Sequence, residues 1–124
     1  MTFDELIGMQ RYSDDEGTSV SAVVEIQPHH CNPTGRINGG VFLTMADNLS
    51  TGAANRAYFE KTGERKFMVG VDLHAVMLAN QEGGTIRALA VPLRVGRRVT
   101  VVRTEVRGDD DRLLAEVTTT HVPT

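Results

Sequence analysis

The chain has 124 residues, a length that corresponds to one domain with its own buried core. Hydrophobic residues make up 40% and charged residues 23%, and the net charge of -3 without a basic tract argues against nucleic-acid binding. No segment approaches the roughly 20 apolar residues that a membrane-spanning helix needs, so no membrane partner is predicted.

The first part of the chain predicts a short helix, a loop and a strand. Apolar residues at helical spacing predict a short helix over residues 3–9, and the polar residues 10–17 predict a loop. Residues 18–27 alternate between apolar and other side chains, which indicates a half-buried strand that ends at Pro28. The acidic N-terminus lacks the basic region and apolar core of a signal peptide, which favours a cytoplasmic protein.

A cysteine and two histidines follow this strand. The single Cys31 cannot form an internal disulfide, which also fits the cytoplasm. One Cys beside His29 and His30 lacks the ligand spacing of a zinc site, so no metal is predicted. We expect His29, His30 and the later His74 at the surface or at an interface.

The central stretch is a polar loop over residues 32–40 that leads into a long helix ending near Lys61. Gly63 is the predicted helix stop. Asp47 and Thr51 are four residues apart and therefore share a face. A different face carries the predicted buried stripe, at steps of three and four: Val41, Met45, Leu49, Gly52, Ala53 and Arg56.

The start of this helix is a candidate site for catalysis. The first backbone N–H groups of a helix have no partner within the helix, and glycine removes the side chain that would keep a ligand away. A carbonyl oxygen at Gly39 or Gly40 could be polarised there, as in an oxyanion hole. Asp47 is about two turns further on, so a second chain would have to bring it to this point. The alternative is a sharp Gly-Gly turn followed by a solvated Asp.

The rest of the sequence predicts four strands, over residues 67–78, 85–95, 97–107 and 113–121, joined by tight turns. Pro92 indicates an edge or a bulge within its strand. One strand, a long helix and four more strands predict an α+β fold with a five-stranded, mainly antiparallel sheet. Because one helix covers only one face of this sheet, its uncovered edges and second face favour oligomerisation.

The order of elements and one spaced motif resemble the hot-dog-fold acyl-CoA thioesterases, most closely the PaaI-like and 4-hydroxybenzoyl-CoA thioesterase group. The family motif is an amide residue, a Gly-containing loop, His-Gly-Gly, and an acidic residue nine positions after that His. A small and an acidic residue in the second strand, and a late Gly followed by basic residues, complete it. The matching residues are Asn32, Asn38, Gly39, Gly40, Asp47, Gly70, Asp72, Gly96, Arg97 and Arg98.

This resemblance implies a single hot-dog thioesterase domain over residues 1–124, with the sheet wrapped around one long central helix. It implies hydrolysis of an aryl- or medium-chain acyl-CoA to free acid and CoA by a homodimer that pairs into a homotetramer. No cofactor is implied, because CoA is part of the substrate.

The resemblance also assigns roles at the reacting bond. The thioester carbonyl would lie against the N–H of Gly39, and Gly40 would keep the approach open. Asp47 of the neighbouring subunit would act as nucleophile or as general base on water. Asn32 would hydrogen-bond the water or the carboxylate, and Thr51 would line the acyl pocket or help to hold the water.

The substrate's CoA end and two departures from the family pattern complete these expectations. Arg97 and Arg98 are candidates for binding the CoA phosphates, and a solvated strand end is the alternative. Asn38 replaces the usual His; it can brace the loop but cannot titrate near neutral pH. Gly70 replaces a hydroxyl residue that relatives carry, which leaves the water-activating partner open and makes more room for the acyl group.

Two other functions compete with the thioesterase. Asn38 and Gly70 are compatible with a non-catalytic hot-dog protein that binds acyl-CoA or another small ligand. A hot-dog hydratase or dehydratase would need a His in the site, and His74 and His121 stand in no motif that supports it.

Overall fold

The computed structural model describes residues 1–12 and 17–124. Of the predicted loop over residues 10–17, residues 13–16 therefore lie outside the described part. The helices are α1 (Phe3–Leu6) and α2 (Gly39–Thr62), with short 3-10 turns at Pro28–His30 and Asp109–Asp111. The strands are β1 (Gln10–Arg11), β2 (Val20–Glu25), β3 (Met68–Met77), β4 (Thr85–Val95), β5 (Thr100–Arg107) and β6 (Leu113–Pro123).

All strands form one antiparallel sheet in the order β1-β2-β4-β5-β6-β3. The prediction of five strands is wrong by one, because Gln10 and Arg11 pair with Val23 and Ala22 in part of the predicted loop. A strand of two residues is too short to show the alternation of buried and exposed side chains that a sequence pattern can detect. It is a strand only because its backbone pairs with β2.

The long helix α2 begins and ends where the sequence predicts. Asn38 is its N-cap, with extended backbone angles. Gly63 ends it in the left-handed conformation, with a φ of 76°, and donates its N–H to the carbonyl of Phe59 at 2.8 Å. Glycine adopts this conformation without the steric cost that a Cβ brings, so the predicted helix stop is confirmed.

The buried surface of α2 is wider than the predicted stripe because the helix packs against all of β2 to β6. Arg56 does not belong to the stripe: it is exposed and donates a hydrogen bond to the carbonyl of Ser19 at 3.0 Å. Small side chains allow the sheet to approach closely. The buried residues are Val41, Phe42, Met45, Ala46, Leu49, Ser50, Ala53, Ala54, Ala57 and Tyr58.

Alternate residues of the inner strands complete the core, as the period-two pattern predicts. Their buried hydrophobic members are Val20, Ala22, Val24, Ile86, Ala88, Ala90, Val102, Val106, Leu114, Ala115 and Val117. Pro92 lies at a register shift in β4, which confirms the predicted bulge. It also lies beyond Ala90, the last β4 residue paired with β2, so its missing N–H removes no hydrogen bond to β2.

The edge strand β3 and part of β4 present apolar side chains to solvent. On β3 these are Val71, Leu73, Val76 and Met77, and on β4 they are Leu89, Val91 and Leu93. The expectation of an uncovered sheet edge and an uncovered second face is therefore confirmed. Within the described residues, neither helix has the length and apolar character needed to cross a membrane.

Candidate active site

The loop before α2 is braced by the side chain of Asn32. Its Oδ1 accepts hydrogen bonds from the backbone N–H of Thr34 at 2.9 Å, from the Thr34 hydroxyl at 2.6 Å and from the Arg36 N–H at 3.3 Å. An Asn that bonds the backbone two residues on is typical of an Asx turn. Because this oxygen is occupied, only the amide NH₂ group of Asn32 remains for the predicted contact with a water or a carboxylate.

Asn38 caps the helix, and its cap separates the roles of the two glycines that follow. Its Oδ1 accepts from the N–H of Gly40 at 2.8 Å, and its own N–H donates to the carbonyl of His30 at 2.9 Å. The N–H of Gly39 has no hydrogen-bond partner among the described residues. The helix start therefore presents one free amide donor, at Gly39, with the partial positive charge of a helix N-terminus.

Gly40 and Gly39 differ in what a side chain would meet. A Cβ built on Gly40 would lie 3.0 Å from Oδ1 of Asn38, so a side chain here would press against the cap. A Cβ built on Gly39 would lie 3.2 Å from Cε of Met77, which is the flexible end of a side chain on β3. The edge strand β3 thus passes beside the start of the helix.

His30 is buried, so the expectation that it lies at the surface or at an interface is wrong. Its Nδ1 accepts from the N–H of Gln27 at 2.8 Å, and its Nε2 lies 2.7 Å from the carbonyl of Ile7. Both ring nitrogens are therefore bonded to backbone groups, and His30 ties the 3-10 turn to the N-terminal segment. Cys31 places its Sγ 3.7 Å from the Gln27 carbonyl.

Asp47 is exposed on α2 and lies beside two residues of the sheet. A Cβ built on Gly70 would be 3.8 Å from Oδ1 of Asp47 and 3.6 Å from Nδ1 of His121. These residues open onto a cavity of about 230 Å³. Its lining is completed by Val71, Asp72, Leu73 and Thr119. Of the predicted site residues, the structure brings Asp47 and Gly70 together, and it adds His121.

His121 is fully buried, and its two ring nitrogens differ. Nε2 lies 3.0 Å from the Oγ1 of Thr119, whereas Nδ1 has no hydrogen-bond partner within the described residues. Burial lowers the pKa of His121 below its usual 6.5, and the backbone of Met68 and the charge of Asp47 act in the opposite direction. Burial disfavours the charged imidazolium, so the ring is held towards its neutral form.

Asp47 and Gly39 of the same chain cannot act on one bond. They lie eight positions apart in the helix, which corresponds to about 12 Å along the axis. The remaining predicted residues lie apart from the Asp47 cavity. Thr51 donates its hydroxyl to the Asp47 backbone carbonyl at 2.9 Å, and Arg97 and Arg98 are exposed in the turn between β4 and β5.

The sequence profile of the thioesterase superfamily matches residues 34–115, which is more than half of the chain. The chain belongs to the thioesterase superfamily. This confirms the predicted resemblance at the level of the superfamily and places the protein among thioester hydrolases. The match begins after Asn32. It includes Asn38, Gly39, Gly40, Asp47, Arg97 and Arg98.

Two relatives and one solved structure illustrate the similarity. An esterase candidate of Vibrio cholerae is 28% identical over 103 residues, which cover 83% of this chain and 66% of that protein. The 1,4-dihydroxy-2-naphthoyl-CoA hydrolase of Listeria monocytogenes is 25% identical over 115 residues, covering 92% of this chain and 89% of that enzyme. A Streptococcus mutans protein solved with bound acetyl-CoA has a TM-score of 0.84 at 20% identity, covering 100% of this chain and 92% of that chain. The predicted hot-dog fold is confirmed, with six strands.

His121 is the residue of this site that the sequence did not assign. It occupies one of the alternate buried positions of the last strand, after Val117 and Thr119, where a core residue is expected. Its closeness to Asp47 depends on the strand order, in which β3 is the edge strand beside β6 and Gly70 lies opposite His121. The sequence shows a histidine at a buried position of a strand, which could have marked it as a candidate. It does not show that β3 pairs with β6, and this pairing is what brings His121 close to Asp47.

Proposed function

We propose that the protein is an acyl-CoA thioesterase that hydrolyses an aryl- or medium-chain acyl-CoA to the free acid and CoA. The observation that carries this proposal is the N–H of Gly39, without a partner among the described residues, at the start of a 24-residue helix whose third turn exposes the carboxylate of Asp47. An amide donor and a carboxylate are the two groups that thioester hydrolysis by this family's route requires. The CoA hydrolase from Listeria and the acetyl-CoA-bound neighbour support CoA as the leaving group.

The donor and the carboxylate meet in this proposal between two copies of the chain. Along β3, Met77 lies beside Gly39, and Gly70 lies beside Asp47. If two β3 edges pair antiparallel about a two-fold axis between Leu73 and His74, positions 70 and 77 are equally far from the axis. The Gly39 end of one copy then faces the Asp47 end of the other, and two equivalent sites result.

The surface of β3 supports this pairing. As an edge strand it offers unpaired backbone groups to a second strand. Val71 is 58% exposed, Val76 43% and Met77 48%, so pairing would remove apolar surface from water. The exposed Leu89 and Leu93 of β4 offer a second apolar surface on which two dimers could form the homotetramer.

Each remaining residue has a place in this scheme. The thioester oxygen accepts a hydrogen bond from Gly39, while Asn38 holds the Gly40 N–H and keeps the loop in shape. Asp47 acts as nucleophile or as general base on water. Arg97 and Arg98 carry exposed guanidinium groups for the CoA phosphates. Asn32 offers its amide NH₂ group, and Thr51 places its methyl group one turn beyond Asp47.

The test is a thiol-release assay over a panel of aryl- and straight-chain acyl-CoAs, using the wild type and Asp47→Asn. We expect turnover of at least one class and a loss of kcat of about 10²-fold or more in the variant. Asp110→Asn is the matched control, because Asp110 is exposed far along the chain and Asn tolerates its φ of 60°. Full activity of Asp47→Asn would contradict the assigned role.

A second candidate, a non-catalytic acyl-CoA binding protein, is favoured by one observation. Asn38 stands where the family resemblance implies a His, and its Oδ1 is engaged as a helix cap. In this case calorimetry would detect binding of acyl-CoA while the assay detects no thiol. Restoration of turnover by Asn38→His would then identify a thioesterase that has lost its activity.

A further inference from the structure

The buried face of β6 carries a polar atom that the proposed function does not use. Nδ1 of His121 is buried and lacks a hydrogen-bond partner within residues 1–12 and 17–124. A buried polar group without a partner is costly, so such an atom calls for a ligand or a chemical role. We propose that Nδ1 of His121 and the carboxylate of Asp47 together hold the hydrolytic water over Gly70, which makes His121 a catalytic residue. This inference rests on the proposed thioesterase function.

The contacts of Thr119 decide which nitrogen of His121 carries the proton. The Thr119 hydroxyl has one hydrogen, and it donates to the carbonyl of Val102 at 3.4 Å. We assign the ring tautomer from this contact: with the hydroxyl hydrogen on Val102, the Thr119 oxygen accepts from Nε2 of His121 at 3.0 Å, so Nε2 carries the proton of the neutral ring. Nδ1 is then an acceptor. The side chain of Thr119 thus selects the tautomer that turns a lone pair towards Gly70 and Asp47.

Two acceptors beside one space define how a water molecule must lie there. The position of a Cβ on Gly70 is 3.6 Å from Nδ1 of His121 and 3.8 Å from Oδ1 of Asp47, so both acceptors border the open space over Gly70. The water we assign to them lies in this space, further from the Gly70 Cα than a Cβ would. Because both partners accept, the water donates both of its hydrogens. Its lone pairs then point away from both acceptors, which is the orientation that a nucleophile needs.

The charges around His121 suit this arrangement. Asp47 faces the ring from α2, Asp72 lines the same cavity from β3, and Thr100, paired with His121 on β5, is uncharged. Burial lowers the pKa of His121, so near neutral pH the ring is the neutral acceptor that the arrangement requires. Gly70 has no side chain, so the space between His121 and Asp47 stays open, and a Cβ at this position would occupy part of it.

The reaction step balances with these groups alone. The water oxygen bonds to the thioester carbonyl carbon, Asp47 takes one proton, and the oxyanion accepts a hydrogen bond from the Gly39 N–H of the other copy. When the C–S bond breaks, Asp47 returns that proton to the leaving sulfur and CoA leaves as the thiol. The second hydrogen of the water remains on the product acid, and Nδ1 of His121 holds it during the attack. Asp47 is then a general base and forms no covalent intermediate.

Gly70→Ala is the sharpest test, because it takes up part of the space for the water without a clash. Its Cβ would make ordinary contacts at 3.6 Å and 3.8 Å, and alanine is no worse than glycine in a strand. We expect unchanged or higher thermal stability, a nearly unchanged KM, and a fall in kcat of about 10²-fold. Wild-type kcat in a stable Gly70→Ala variant would overturn the proposal.

Variants of His121 provide a second test with its own control. His121→Phe keeps the volume but removes the acceptor, and His121→Asn returns an oxygen near the position of Nδ1. We expect kcat to fall about 10²-fold in His121→Phe and to recover in part in His121→Asn, with KM little changed in both. Thr104→Val is the control: it alters another buried side chain with an unpartnered hydroxyl, on β5, away from the cavity. Equal kcat in the Phe and Asn variants would count against a role for the acceptor.

A single turnover in ¹⁸O-labelled water separates the water route from a covalent one. Direct attack places the label in the product acid and leaves Asp47 unmodified throughout, whereas an Asp47 anhydride opened by water at the aspartyl carbon gives unlabelled acid and a labelled carboxylate. An anhydride opened at its acyl carbon also labels the acid, so rapid quench and mass spectrometry are used to search for acylated Asp47, which direct attack never forms. Label in Asp47, or acylated Asp47, would overturn the inference and leave the thioesterase function intact. The inference would also be overturned, and the thioesterase function kept, if the wild type is active, Asp47→Asn is inactive and His121→Phe is fully active. A wild type without turnover on the whole panel would overturn both.

Discussion

The side-chain Oδ1 of Asn38 lies 2.8 Å from the backbone nitrogen of Gly40, and the backbone nitrogen of Gly39 between them has no hydrogen-bond partner in residues 1–12 and 17–124. The Asn38 side chain therefore satisfies one of the N–H groups at the start of α2, that of Gly40, and leaves the N–H of Gly39 available to a ligand. This arrangement is compatible with Asn at the position where the resemblance implies a His: Asn38 caps the helix, and capping needs no titratable group.

The cap predicts a stability effect at position 38. Asn38→Ala removes the acceptor for the Gly40 N–H and should lower the free energy of unfolding by about 1 kcal/mol. Asn38→Ser retains a capping oxygen and should lose much less. Urea denaturation of the three proteins measures both values. Equal stability of the Ala and Ser variants would show that the cap contributes nothing.

The elements that were predicted correctly are those whose signals are local. A Gly at the left-handed end of α2, a Pro at a bulge and the alternation of buried residues in the inner strands each follow from the residue's own conformational preference. The two-residue β1 and the extent of the buried surface of α2 were missed, because both depend on what packs against them. The same limit applies to the site: the Asp47 motif is local, whereas the His121 contact arises from the β3–β6 pairing.

His30 predicts a second stability effect. His30→Phe would leave the buried carbonyl of Ile7 and the partly buried N–H of Gln27 without their present partners. A buried unsatisfied group costs about 1–3 kcal/mol, so the free energy of unfolding should fall by about 1 kcal/mol or more. The neighbouring His29 is exposed, and His29→Phe is the matched control, expected to change the stability by about 0.5 kcal/mol or less. Similar losses in both variants would contradict the structural role of His30.

The lowered pKa of His121 predicts how stability depends on pH. In the unfolded chain this residue takes up a proton near its usual pKa of 6.5, whereas burial in the folded state pushes protonation to lower pH. Below pH 6.5 the unfolded state therefore binds more protons at this site, so its contribution destabilises the fold as the pH falls from 6.5 through the folded pKa. The difference in unfolding free energy between the wild type and His121→Phe, measured from pH 7.5 to about pH 5, should shift steadily against the wild type. A pH-independent difference would show that burial does not perturb this imidazole.

The proposed two-fold arrangement predicts that two inactive variants restore each other. Gly39→Pro removes the free N–H, and proline is accepted at the first position of a helix, here after an extended Asn38 with ψ of 129°. Asp47→Asn removes the carboxylate. If each site takes Gly39 from one copy and Asp47 from the other, a mixed dimer has one site with both defects and one site with neither.

Mixing the two variants after mild denaturation and refolding should therefore return about a quarter of the wild-type kcat per chain, since half of the dimers are mixed and each has one intact site. Each variant refolded alone is the control and should stay inactive. Leu73→Lys, which places a charge at the centre of the proposed β3 pair, should lower the mass of the assembly in light scattering to half or less and abolish the recovery. No recovery in a mixture proven to contain mixed dimers would mean that both groups come from one chain, and the site would have to be rebuilt within a single copy.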